Sequence, residues 1–185
     1  MASTGLPTEL SKNGQGYVNH WQSLREGSEL PTPQAFLDRA DPAFQPLISL
    51  NDVDPASGAN KVVLFGTALV DLWQVDLTGK DVHDFLTDDQ ADRLTTDLIH
   101  CALTPCGIWE LSTLRTTSGR KICWEMVTLP LKANGKGVHR IARYHNILDQ
   151  PRDGEQIRDI LHFQRKEWFD FGHGVPDAAP QMRAS

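Results

Sequence analysis

The chain has 185 residues, with 18 lysines and arginines against 24 aspartates and glutamates for a formal charge of −6, and it is 39% hydrophobic and 23% charged. That length suits one domain, alone or with helical extensions, able to bury roughly 70% of its unfolded surface without disulfide or metal staples. The negative balance excludes nucleic-acid and anionic-membrane partners as the expected role, because such binding draws on Lys and Arg displacing counterions.

Residues 1–15 are rich in Ser, Thr, Gly and Pro and read as a flexible tail with no apolar core of a secretory signal. The 3 cysteines, at 101, 106 and 123, are an odd number, and together with the missing signal they point to a reducing cytoplasm. No window approaches about 18 consecutive apolar residues, so no membrane-spanning helix is expected.

Tyr17, Trp21 and Leu24 fall at i, i+4 and i+7, an apolar stripe on a short helix that Gly27, Pro31 and Pro33 would end. Pro46–Val53 and Lys61–Gly66 are strand-like runs joined by the turn chemistry of DPASGAN, a plausible hairpin. Residues 67–104 are helical in character. The clearest helix is 88–103, opened by Thr87 with Gln90 as a capping box and by Asp88 and Asp89 at the positive end of the helix dipole, and stopped by Thr104-Pro105. Its apolar arc, centred on Ala91, Leu94, Leu98 and Ala102, is broad enough to demand more than one neighbour.

From Cys106 the period drops to two. Cys106–Arg115, Arg120–Leu131 and Val138–Leu148 read as a three-strand antiparallel meander, with Thr-Ser-Gly at 117–119 and Asn134-Gly135 as turns. Asp153 with Gln156 then reads as the cap of an amphipathic helix over 150–171 carrying Ile157, Ile160, Leu161 and Trp168, and residues 172–185 read as a second flexible tail. The order of elements implies an α+β layer fold: a five-stranded antiparallel sheet with helices on one face, plus N- and C-terminal amphipathic helices. The first two strands join the last strand of the meander rather than its first.

This succession resembles the PAS fold, and Val63–Leu86 looks like a PAS strand–helix junction. More narrowly, Trp21-Gln-Ser-Leu-Arg25 followed by Gly27 and Leu30-Pro31, then Leu50-Asn-Asp-Val53, Gly66-Thr67-Ala-Leu-Val70 and Asp76-Leu-Thr-Gly79, resemble the stand-alone single-PAS proteins found mainly in alphaproteobacteria. The likeness spans 17–148, so the chain divides into tail 1–15, PAS-like domain with N-terminal helix 16–149, helix 150–171 and tail 172–185. Where the family usually shows a glycine before Asp-Leu-Thr-Gly, this chain has Gln74-Val75.

The resemblance implies a cytoplasmic bacterial sensor that holds a small ligand between sheet and helices, or engages only a protein partner. The candidate cavity residues are the aromatics Trp73, Trp109, Trp124 and Tyr144, which would otherwise simply fill the core, together with Leu98 and Met126. Arg143 and His145, two apart on one strand face, are a candidate anchor for an anionic group. Some PAS domains bind haem through a histidine on the long helix, but His100 lies opposite the apolar arc, and nothing matches the Gly-Arg-Asn-Cys-Arg-Phe motif of photoactive flavin domains. Haem and flavin are therefore not expected, and the cofactor is unknown. Cys101 and Cys106 lack a second ligand pair, and His139 and His145 stand about 20 Å apart along a strand, so no metal site is expected. The acidic cluster Asp81, Asp84, Asp88, Asp89, Asp92 and Asp97 reads as a solvated, acid-capped helix face.

No nucleophile motif or phosphate loop is present, so the protein is not expected to be an enzyme. No output segment follows residue 171 in this sequence, and a signal would leave by altered helix packing, dimerisation or partner binding. The expected contact surfaces, in a homodimer or with a signalling partner, are the stripe Tyr17, Trp21 and Leu24 and the face through Ile157, Ile160, Leu161 and Trp168. The alternative is a ligand-free protein-interaction module with a solid core.

Overall fold

The computed structural model describes residues 5–133, 135 and 137–176. Four α-helices, α1 (Lys12–Ser23), α2 (Pro33–Asp38), α3 (Thr67–Trp73) and α4 (Asp88–Leu103), accompany six strands. The strands are β1 (Ile48–Asp54), β2 (Ala59–Phe65), β3 (Cys106–Thr116), β4 (Lys121–Pro130), β5 (His139–Ile147) and β6 (Ile157–Asp170). They form one sheet in the order β2-β1-β5-β4-β3-β6, with every pairing antiparallel. The first five strands follow the PAS order, with the opening hairpin placed beside β5, and the fold is α+β and PAS-like. Among the described residues no helix is long and apolar enough to cross a membrane.

Local chemistry sets the junctions. At the β2–α3 corner, Gly66 has an ordinary φ of −61°, but a Cβ there would stand 2.3 Å from the Pro46 carbonyl oxygen. Its amide donates to Ile48 O at 2.9 Å, so only a residue without a side chain lets the two backbones meet. Helix α3 ends in a left-handed residue, which is Gln74 at φ 54° rather than the glycine common at that position. Asp76 Oδ1 then accepts the Thr78 amide at 2.9 Å, closing the turn before Gly79 at φ +87°. Helix α4 starts as its sequence dictates, with Gln90 Oε1 accepting the Thr87 amide at 3.3 Å.

Three expectations are corrected. Residues 157–170 form a strand, not a helix, paired with β3 along its length. Three register shifts along that pairing break strict alternation, which is why Ile157, Ile160 and Leu161 mimic a helical stripe. Pairing also covers what would be an unpartnered 11-residue edge on β3. Second, the N-terminal helix is part of the core: α4 packs on one face of the sheet, while α1 packs on the other against Trp109, Val127, Leu129 and Tyr144. Tyr17, Trp21 and Leu24 are consequently core residues, and Trp21 Nε1 donates to Pro130 O at 3.0 Å. Ile157 and Trp168 are buried too, and Ile160 and Leu161 half-buried, so neither stripe is a free contact surface. Third, residues 5–15 are not a loose tail, since Ser11 caps α1 and Leu6 and Leu10 pack on the core. Residues 1–4 and 177–185 of the expected tails, and Asn134 of the expected two-residue turn, lie outside the described residues; β4 and β5 are joined by a longer connection, 131–138.

Candidate functional site

Side chains of a strand alternate between faces, and on β4 and β5 the two sets differ in kind. Trp124, Met126, Arg143 and His145 face α3 and α4, whereas Glu125, Val127, Tyr144 and Asn146 face α1. The register sets Met126 opposite His145 and Ser49 of β1 opposite Arg143. Between this face and the segment α3–α4 lies a cavity of about 370 Å³. Its outer wall includes Leu77, Val82 and Leu94, with Val75 and Phe85 exposed.

Of the expected cavity residues, Trp73, Trp124, Met126, Arg143 and His145 line this space. Three do not. Leu98 packs with Val53, Ile108 and Ile141 farther along α4. Trp109 and Tyr144 have the opposite parity and lie under α1, Trp109 Nε1 donating to Glu125 Oε1 at 2.9 Å and the Tyr144 ring 5.1 Å from that of Tyr17. Lining residues absent from the expectation include Asn51, Glu110, Arg93, Arg158 and Phe163. Glu110 has a legible signal, a carboxylate inside the apolar run Cys106–Leu111; Arg158 and Phe163 have none, because they reach the cavity only through the pairing of β6 with β3.

The site is electrostatically loaded. Arg143 is 8% exposed, and its Nη2 donates to Met126 Sδ at 2.7 Å while Nε has no partner. Burial lowers the Arg143 pKa, opposed by the charges of Glu110 and Asp97, yet a guanidinium stays protonated in proteins. His145 stacks on Trp124 at 5.4 Å and 18°, and its Nε2 lies 2.8 Å from Ser49 Oγ. Burial first, and the Arg143 charge second, push its pKa well below the ordinary imidazole value, so the ring is neutral near pH 7. Burial raises the Glu110 carboxyl, against the pull of Arg143. Asp97 is not solvated as expected for the acidic cluster; β6 brings Lys166 onto it, and the two form a buried ion pair. None of the three cysteines lines the cavity; Cys101 Sγ donates to Cys106 O at 3.0 Å beneath α4.

Behind the same strands a carboxylate holds α1. Glu125 is fully buried, and its oxygens accept from the Ser11 amide at 2.9 Å, the Ser11 hydroxyl, Trp109 Nε1 at 2.9 Å and Asn146 Nδ2 at 3.0 Å. Cavity-facing and α1-holding side chains thus alternate along Cys123–Val127 and Ala142–Ile147.

No family model matches the sequence, and no curated protein does. Solved structures similar to the chain include the PAS domain of an HTR-like protein from Haloarcula marismortui, at 13% identity over 75% of this chain and 100% of that one, with a TM-score of 0.39. A fungal LOV domain photoreceptor is similar at 15% identity over 75% of this chain and 95% of that one, with a TM-score of 0.39. An RNA-binding light-oxygen-voltage receptor is similar at 15% identity over 80% of this chain and 37% of that one, with a TM-score of 0.37.

Proposed function

We propose that the protein is a cytoplasmic PAS-type sensor that binds a small ligand in the cavity and changes its packing, and through it a homodimer or partner contact, without catalysing a reaction. One observation carries this reading. Four of the buried side-chain polar atoms without a hydrogen-bond partner, Asn51 Oδ1, Trp124 Nε1, Arg143 Nε and His145 Nδ1, belong to residues lining this single cavity. Leaving such atoms unsatisfied costs about 1–3 kcal/mol each, and their clustering in the residues that wall one cavity favours a binding site over a ligand-free interaction module.

The alternation along β4 and β5 supplies a route outward. A ligand that shifts Trp124 or His145 moves the backbone that carries Glu125 and Asn146, and these hold the N-cap of α1. The signal would therefore leave by the docking of α1 rather than by a C-terminal helix. Hydrogen exchange tests this on the protein as purified from cells and after stripping by denaturation and refolding. The reading expects slower exchange in β4, β5 and residues 12–23 of the unstripped protein; identical exchange in both preparations overturns it.

A further inference from the structure

We infer that the cavity takes an aromatic carboxylic acid, its ring between the aromatic walls and its carboxylate on Arg143; this rests on the ligand-binding reading above. Arg143 is the first reason. It sits on the central strand, more than nine-tenths buried, and makes no ion pair within 4.0 Å among the described residues. A buried cation without an anion is costly, and a hydrogen-bonded anion removes that cost. Its one side-chain partner is the Met126 thioether, a weak acceptor, so most of its donors are free for a bidentate carboxylate.

The neighbouring groups agree. Trp124 Nε1 is a donor with no partner, and His145 Nδ1 is a second ring nitrogen without one. The lining contains four cations, Lys80, Arg93, Arg143 and Arg158, the last of them 3.9 Å from Asp159, against two acids. Asp97 is already paired with Lys166, which leaves Glu110 as the one lining acid without an ion pair within 4.0 Å among the described residues. This is an electropositive chamber inside a chain of net charge −6. Trp73 and Trp124 meet edge to face at 5.9 Å, and Phe65 and Phe85 complete walls suited to a flat ring, while the face of Phe163 is taken by the Arg93 guanidinium 3.6 Å from its centroid. Asn51 Oδ1, an acceptor without a donor, suits a ring N–H or hydroxyl.

Isothermal titration of the stripped 185-residue chain with indole-3-acetate, indole-3-acetamide and acetate tests the inference. The acid is expected to bind roughly 10- to 100-fold more tightly than the amide, the difference that charge-assisted hydrogen bonds supply, and acetate not to bind measurably. Arg143→Met is expected to abolish that preference while leaving the thermal midpoint unchanged or higher, since it removes an unpaired buried charge; a purely structural Arg143 would lower the midpoint. Equal affinity for acid and amide, or an acid preference that survives Arg143→Met, overturns the inference and leaves the ligand-binding reading standing. No binding by any of the three overturns the inference, and if exchange is also identical before and after stripping, the ligand-binding reading falls with it.

Discussion

Glu125 is the single residue whose removal should separate α1 from the sheet. It is fully buried, faces no cation within ion-pairing distance among the described residues, and is satisfied by four donors from three segments: the Ser11 amide and hydroxyl, Trp109 Nε1 and Asn146 Nδ2. Glu125→Ala leaves the Ser11 amide and hydroxyl and Trp109 Nε1 without an acceptor, while Asn146 Nδ2 keeps Ser11 Oγ at 3.0 Å for as long as α1 stays docked. If α1 stays docked, each buried donor costs about 1–3 kcal/mol; if α1 lifts, Ser11 regains water, but Tyr17, Val18 and Trp21 lose their burial and Trp109 and Asn146 remain orphaned. Either outcome costs at least about 3 kcal/mol, a large part of the 5–15 kcal/mol that holds an ordinary domain together. Urea denaturation should show that loss, and hydrogen exchange should place it first in residues 12–23. Glu125→Gln, which keeps one acceptor oxygen but turns an amide N–H₂ toward donors, should fall between. A loss below about 1 kcal/mol for Glu125→Ala, with α1 protected as before, would refute the clamp.

Gly66→Ala should cost about 1–3 kcal/mol, the usual price of forcing atoms into a filled site, because the new Cβ meets Pro46 O at 2.3 Å; a thermal midpoint within a degree of the parent would contradict the close approach. Gln74→Val should cost about 1–2 kcal/mol, since a β-branched side chain resists the left-handed conformation at φ 54°, while Gln74→Gly should be neutral or slightly stabilising despite losing the Gln74 Nε2 bond to Asp71 O. Burial and Arg143 hold the folded His145 pKa below its unfolded value, so the unfolded chain binds the extra proton first. Its contribution is complete above about pH 6.5 and is lost as pH falls below that, by up to about 1.4 kcal/mol per unit. Because the raised pKa of His83 has the opposite sign, the comparison to make is parent against His145→Gln. The parent should lose more stability than the variant between pH 7 and 5.5 in urea titrations, and parallel curves would remove His145 from the account.

Much of the fold is written in local patterns. The capped apolar arc of 88–103, the alternation after Cys106 and the turn residues around Gly79 each depend on neighbours in sequence, and all three recur in the structure. β6 does not, because its bulges against β3 break the period of two and leave Ile157, Ile160 and Leu161 at helical spacing. The site was half legible for the same reason. Arg143 and His145 share a face by simple parity, whereas Trp109 and Tyr144 fall on the α1 face, since a strand whose residues are apolar at both parities does not reveal which set meets which helix. Lys166 on Asp97 and Arg158 at the cavity depend on the long-range pairing of β6 with β3, which no local pattern encodes.

The most direct test of a ligand-holding cavity is native mass spectrometry of the protein purified from cells, parent and Arg143→Met side by side, in non-denaturing and denaturing solution. The account predicts a small-molecule mass on the parent that denaturation removes and that is much reduced on Arg143→Met. A parent that is repeatedly empty would contradict the sensor itself; a mass equally abundant on both proteins would contradict the assignment of Arg143 as its anchor.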